Sequence, residues 1–365
     1  MTIVPYGPIP AMREDRGRFA SLRDARVLIY WPHGLGDWIH FGCVAPLLEP
    51  ANAYAMTRFG DDYVSVMEDN AIVTPLYAGV RRPSDGAELG AVHLGLAVRR
   101  CNGNAVTLNV PPALAPAVEA FAPQRLLWTD YPETEGRTAF PYHTKARNLA
   151  RLLVAPARLA SFDLSQPLAS SINFTVSEQT QRRVDERLAR FVPPRGRLCV
   201  ISRSGVTAAR KNWGDGREAR AFVTALARES PAWRFISMEG EELGEGVAAF
   251  GALFGDLDEP FARLFKAIAN RIDLFVGIPA GPLHLVMARG GIPVVGLWTA
   301  HHPDWYDEPN ATAIHLIGKY VRDRRFERRL ATTSKPASLQ HRLHYLDTAQ
   351  IPAEAVVAAA RTVIG

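Results

Sequence analysis

The sequence predicts an α/β protein of two domains, and three observations predict it. At 365 residues the chain is longer than one hydrophobic core ordinarily covers, so two domains of about 150 to 200 residues each are expected. Its second half alternates apolar runs of strand length with amphipathic runs of helix length, the pattern of a parallel sheet with right-handed crossovers. Three strand-to-helix turns, at 33–37, 203–213 and 278–284, carry glycine or charged donors where open α/β sheets bind ligands.

Taken in order, Met1 to Arg26 holds prolines and the charges Arg13, Glu14, Asp15 and Arg16 with no apolar core, so it does not read as a signal peptide. RVLIYW (26–31) reads as a buried strand. The chain then breaks on His33-Gly34-Leu35-Gly36-Asp37 and resumes as an apolar helix. AYAMT, AVHLGL, AVTLNV and RLLWT are further strand-length stretches split by loops rich in Gly, Pro and Asn, which suggests a more decorated α/β domain. After the helical SEQTQRRVDERLARF comes the connection Phe191-Val192-Pro193-Pro194-Arg195-Gly196, where we place the domain boundary: 1–192 and 193–340.

Beyond it, RLCVISR (197–203), WRFISM (233–238), DLFVGI (273–278) and PVVGLW (293–298) read as strands. REARAFVTALARE (217–229), EPFARLFKAIANR (259–271) and GPLHLVMARGG (281–291) read as the helices between them. Residues 341–365 end in the Ala-rich helix IPAEAVVAAARTVI, begun by Pro352 at a favoured first-turn position and expected to pack back toward the N-terminal domain.

Composition narrows the class. Hydrophobic residues make up 47% and charged residues 22%, as in a soluble globular protein, and no uncharged apolar run reaches the length of a membrane span. Cys43, Cys101 and Cys199 are scattered and form neither a disulfide framework nor a zinc motif, which fits a cytoplasmic location. The net charge of +5 favours anionic partners such as phosphates, nucleotides or acidic headgroups. Much of it lies in Lys319 to Arg329, a solvated basic face or, as the alternative, a peripheral contact with the inner face of the membrane. Nucleic acid is not expected as a partner.

At the first turn, glycine and aspartate fit either architecture, through backbone freedom and helix capping, or a reactive carboxylate at a ligand. The second turn, SRSGVTAARKNW, offers Ser202, Arg203, Ser204, Thr207, Arg210 and Lys211, donors suited to phosphate oxygens. At the third, Gly277 and Gly281 allow close backbone approach, and a helix starting near Pro282 points its amides and positive dipole end at the ligand side. His284 falls in that helix's first turn, as a ligand contact or as a hydrogen-bonded core residue.

Together, GLGDWIHFGCVAPLLE, SRSG…RKNW and RIDLFVGIPAGPLHLVMARGGIPVVGLW, in this order and spacing, resemble the heptosyltransferase-like glycosyltransferases of family 9. The match covers the start and nearly all of the C-terminal half, while residues 70 to 190 contribute little. The resemblance implies a GT-B fold, with two Rossmann-like domains facing each other across a central cleft. It also implies transfer of a sugar from a nucleoside-diphosphate sugar to a hydroxyl on a glycan, lipid-linked or small-molecule acceptor, with inversion and with neither metal nor cofactor.

By the resemblance Asp37 is the general base, His40 its neighbour one turn on, and Lys211 meets the donor's phosphates. Gly34, Gly36, Ser202, Arg203, Arg210, Ala280, Gly281 and His284 complete the expected donor surroundings. A glutamate holding the ribose falls among Glu239, Glu241 and Glu242, with Glu241 favoured. Where the family has Asn-Asp-Ser before Gly-Pro, this chain has Ile278-Pro279-Ala280, which puts ADP-heptose in doubt as the donor.

The chemistry also stands on the residues themselves. Inverting transfer needs a base for the acceptor hydroxyl and positive groups for the departing diphosphate. HHPDWYDEP (301–309) crowds His301, His302, Asp304, Asp307 and Glu308, but the spacing matches no zinc signature. Its Trp305 and Tyr306 offer a stacking face instead. Two other functions are weighed: a non-catalytic nucleotide- or nucleotide-sugar-binding protein, told apart by tight binding without transfer, and a dehydrogenase or epimerase. The second lacks a G-x-G-x-x-G turn with the expected acidic partner.

Overall fold

The structure, a computed structural model, describes residues 12–15, 19–30, 34–56, 61–77, 98–101, 105–108, 120–121, 125–128, 145–163, 168–205, 211–240, 243–303, 312–322 and 342–365. The chain forms two compact units. One comprises Met1–Phe140, Lys145–Thr175 and Glu259–Arg263; the other is built mainly from Val176–Asp258 and Leu264–Gly365.

The second unit is the more regular. Its strands are β8 (Arg197–Ser202), β9 (Trp233–Ser237), β10 (Val247–Ala249), β11 (Leu274–Gly277), β12 (Val294–Trp298), β13 (Ala313–Ile317) and β14 (Leu343–Tyr345). They form one sheet in the order β10-β9-β8-β11-β12-β13-β14, every neighbouring pair parallel. Counted from β8 this is 3-2-1-4-5-6-7, a doubly wound sheet whose order reverses between β8 and β11.

Both faces of that sheet are covered, which explains why its strands read as unbroken apolar runs. Cys199, Ile201, Leu274, Val276, Val295 and Leu297 share one core with Phe222 and Leu226 of the helix Arg217–Glu229 and with Val356 and Ala360 of the helix Ala353–Ile364. On the other face Phe275 meets Phe265 edge to face, their centroids 6.3 Å apart.

The first unit repeats the plan at its centre. Its strands β1 (Met12–Asp15), β2 (Arg26–Tyr30), β3 (Asn52–Met56), β4 (Val73–Pro75), β5 (Val98–Cys101), β6 (Ala105–Leu108) and β7 (Arg125–Trp128) lie in the order β4-β3-β2-β7-β1-β6-β5. From β4 to β1 the pairing is parallel, and β6 and β5 add an antiparallel edge. Here the order reverses between β2 and β7. The helix Leu35–Leu48, buried on almost every side, follows β2. Strand AVHLGL lies outside the described residues.

Two domain-level expectations are corrected. The helix Glu178–Phe191 belongs to the second unit, so the division falls near Thr175 rather than at 192. Thr180, Val184 and Leu188 form its buried stripe. Gln181 Nε2 donates to Ala267 C=O (3.3 Å), Arg183 to Leu257 C=O (2.5 Å), and Arg271 forks onto the Asp185 carboxylate (2.8 and 2.5 Å). The Pro-Pro stretch is only the turn into β8, closed by Gly196 N–H to Pro193 C=O at 2.7 Å.

The C-terminal helix, expected to pack back toward the N-terminal domain, covers the second unit's own sheet. Val356 and Val357 fill its core, the Ala353 N–H donates to Glu218 Oε2 at 2.6 Å, and Arg361 pairs with Glu229. Pro352 is the residue just before that helix rather than in its first turn, with extended ψ of 149°.

Candidate functional site

In the first unit the turn after β2 lies at the sheet's reversal point, where ligands of open α/β sheets bind. Gly34 precedes the helix, and Asp37 is that helix's third residue. The Gly34 N–H donates to Asp37 Oδ2 at 3.2 Å, while Gly34 C=O accepts from the N–H groups of Asp37 and Trp38. The carboxylate therefore satisfies an amide at the helix start and complements the positive dipole end.

Gly34 has φ −73°, a value open to any residue, and a Cβ there would meet only Asp37 Oδ2, at 3.8 Å. Among the described residues, then, neither backbone nor packing demands glycine at that position. Gly36 and Asp37 are half-buried. His40, one turn on, is 1% exposed and sits in the interior with Trp38 and Phe41.

In the second unit the reversal point lies between β8 and β11, and it gathers two of the three turns. Ile278 N–H donates to Ser202 C=O at 2.9 Å, and a Cβ on Gly205 would lie 3.5 Å from Ile278 Cδ1 and 3.9 Å from Ala280 Cβ. Gly277 permits this approach, since a Cβ there would stand 2.9 Å from the Ser202 carbonyl oxygen. Ser202 is buried within β8.

The loop after β8 folds back on itself. Trp213 N–H donates to Arg203 C=O (2.7 Å), Gly205 N–H to Asn212 Oδ1 (3.0 Å), and the buried Arg203 guanidinium to Gly214 C=O (3.4 Å). Lys211 is half-buried beside this closure, its carbonyl accepting from Thr299 Oγ1 at 2.9 Å. Asn212, Trp213 and Thr299 were not singled out from the sequence, although RKNW contained two of them. Their role depends on neighbours brought by sheet order. Arg210, Thr207, Glu241 and Glu242 lie outside the described residues, as do 304–309 of the His-rich loop.

Glu239 faces inward: its Oε1 accepts from the N–H groups of both Arg203 (2.8 Å) and Ser204 (2.9 Å). Burial pushes its carboxyl above the ordinary range, opposed by those two amides and the Arg203 charge.

The neighbouring helix runs Gly281–Arg289, starting one residue before Pro282. Ala280 N–H already donates to Ile278 C=O at 2.7 Å, and Pro282 has no N–H. At most the Gly281 and Leu283 amides are therefore left to face a ligand. The His284 ring is in the interior, 4% exposed. Among the described residues no group of three His, Cys, Asp or Glu is arranged to hold a metal ion.

At the level of sequence, no family model and no characterised protein matches the chain. Solved structures do. A glycosyltransferase of family 9 from Veillonella parvula superimposes with a TM-score of 0.53 at 16% identity, covering 94% of this chain and 98% of that one. The Escherichia coli ADP-heptose lipopolysaccharide heptosyltransferase II gives a TM-score of 0.53 at 13% identity, with 93% and 98% covered. The chain has the fold of the family 9 glycosyltransferases. That GT-B fold accounts for two α/β units in one chain, each with its Gly-bearing turn at the point where strand order reverses.

Proposed function

We propose that the protein is a glycosyltransferase that moves a sugar from a nucleoside-diphosphate sugar to a hydroxyl acceptor, with inversion and without a bound metal. One observation carries the reading. Both sheets reverse their strand order at a turn fit for a ligand, one turn presenting Asp37 and the other Lys211 with the Gly281 helix start.

In this mechanism the Asp37 carboxylate takes the proton of the acceptor hydroxyl as its oxygen attacks the anomeric carbon. The bond from that carbon to the diphosphate oxygen breaks, and its electron pair stays on the diphosphate. The Lys211 ammonium and the positive end of the Gly281–Arg289 helix stabilise the charge that develops there. The Gly34 amide on Oδ2 holds the carboxylate at the helix start.

The E. coli neighbour is named for ADP-heptose, so ADP-sugars are the first donors to test here. Ile278 and Pro279, both buried, stand where the family's polar residues are expected, which argues for a sugar other than heptose. The acceptor is a glycan, a lipid-linked saccharide or a small molecule. Peripheral membrane contact through 319–329 is proposed from charge alone, and most of that stretch lies outside the described residues.

The test is calorimetric titration of ADP, UDP, GDP, CDP and dTDP, followed by donor hydrolysis and transfer assays with and without EDTA. One diphosphate should bind selectively, and turnover should survive EDTA. Binding of none, or a strict need for Mg²⁺ or Mn²⁺, sinks the reading.

A further inference from the structure

The end of β8 runs into three successive backbone amides, and each already has an acceptor from within the unit. Arg203 and Ser204 N–H share Glu239 Oε1, and Gly205 N–H has Asn212 Oδ1. Consecutive amides at a strand end ordinarily cradle an anion in a doubly wound sheet. Here a carboxylate of the chain itself fills the cradle. The same closure fixes the far side of the loop, through Trp213 N–H on Arg203 C=O and Thr299 Oγ1 on Lys211 C=O.

We propose that Glu239 is a positioning residue. It clamps the loop that carries Lys211, so that a diphosphate is met by the Lys211 ammonium and the Gly281 helix start rather than by the amides of residues 203–205. The proposal rests on the donor-site reading above and deepens it. It assigns Glu239 to the loop rather than to the ribose, the role for which the resemblance made it one of three candidates, with Glu241 favoured. Its Oε2 is buried and has no hydrogen-bond partner among the described residues, so the clamp works through Oε1. A neutral amide oxygen can do the same, and burial disfavours the charge in any case. Glutamine should therefore serve where alanine cannot.

The experiment compares Glu239→Gln and Glu239→Ala in two measurements. The first is amide hydrogen exchange at residues 203–205 without ligand. The second is calorimetric binding of the selected nucleoside diphosphate and of its parent nucleoside. In Glu239→Ala, which removes the acceptor of both the Arg203 and the Ser204 amide, exchange at these two residues should speed up about 10-fold or more and diphosphate affinity fall about 10-fold. Nucleoside affinity should stay within about 2-fold, and Glu239→Gln should restore both readouts.

Unchanged exchange in the alanine variant overturns the proposal, as does failure of glutamine to restore it. An equal loss for nucleoside and diphosphate would mean a direct grip on the nucleoside. Tighter diphosphate binding would mean that the carboxylate merely blocks the amides. If the wild type binds no diphosphate, the donor-site reading fails while exchange still decides the clamp. If Glu239→Ala does not fold, Glu239→Asp, one methylene short of the amides, is read the same way.

Discussion

Trp213 donates its indole N–H to the backbone carbonyl of Ile351 at 2.7 Å, and in doing so ties the loop that carries Lys211 to the start of the C-terminal helix. The indole is fully buried and meets Phe222 edge to face, centroids 6.2 Å apart. One residue thus serves the core, the loop and the chain end at once.

Trp213→Phe keeps an aromatic ring in that core but strands the Ile351 carbonyl. Leaving a buried acceptor unsatisfied costs about 1 to 3 kcal/mol, to which the smaller ring adds a cavity. Urea unfolding of the second unit should show a loss of at least that size. A loss under about 0.5 kcal/mol would mean that water takes the place of the indole N–H.

Much of the second unit was legible in the sequence because its strands are buried on both faces. Val200, Phe275 and Val295 belong to runs with no polar interruption, and each run ends in a turn. β13 escaped because AIHLI carries His315, whose ring is made comfortable only by distant residues. Trp298 Nε1 donates to its Nδ1 at 2.9 Å, and Gly296 leaves the room, since a Cβ there would lie 2.6 Å from that nitrogen. β1 escaped because MRED is a strand only by its pairing with β6 and β7.

At the site, Asp37 and Lys211 stood out as charged residues in turns, and both lie at reversal points of sheet order. Glu239 could not be read in the same way. Its partners, Arg203 and Ser204, lie far back in sequence, and only the pairing of β8 with β9 brings them together. The helix Glu178–Phe191 had a legible apolar stripe, but which sheet would cover it depended on packing rather than on its own residues.

That helix gives a prediction in pH. The hydrogen bonds from Arg271, aided by Gln181, hold the Asp185 carboxyl below its ordinary range. A depressed carboxylate stabilises the fold above its unfolded pKa, and the gain is lost as pH falls through the folded value. Arg271 is about half exposed, so screening keeps the pair to under about 1 kcal/mol. Asp185→Asn should therefore destabilise modestly at pH 7 and converge with the wild type in acid. Equal curves at pH 7 would show that the pair contributes nothing.

Asp37→Asn should leave the fold and diphosphate binding intact, since asparagine's oxygen can still accept the Gly34 amide seen on Oδ2. What it loses is the ability to take a proton. Transfer should fall by about 10²- to 10⁴-fold, the usual worth of general-base catalysis. Turnover close to normal would remove Asp37 from the mechanism. The buried His40 would be a poor substitute, because a base must reach the hydroxyl it deprotonates.

Lys211→Ala tests the other end of the reaction. The Ala280 amide is engaged with Ile278 and Pro282 has none, so the helix start offers few amides to a diphosphate. The amides after β8 are taken up by Glu239 and Asn212. A large share of the recognition then falls on the Lys211 ammonium. A hydrogen bond to a charged group contributes roughly 1.5 to 3 kcal/mol, so the variant should bind the diphosphate about 10- to 150-fold more weakly. The loop itself should survive, because Thr299 bonds the backbone carbonyl of residue 211 and not its side chain. The parent nucleoside, which has no phosphate for the ammonium to meet, should bind the variant and the wild type alike. Titration of both ligands into both proteins separates the cases: an equal loss for nucleoside and diphosphate, or no loss for either, would place the phosphates away from Lys211.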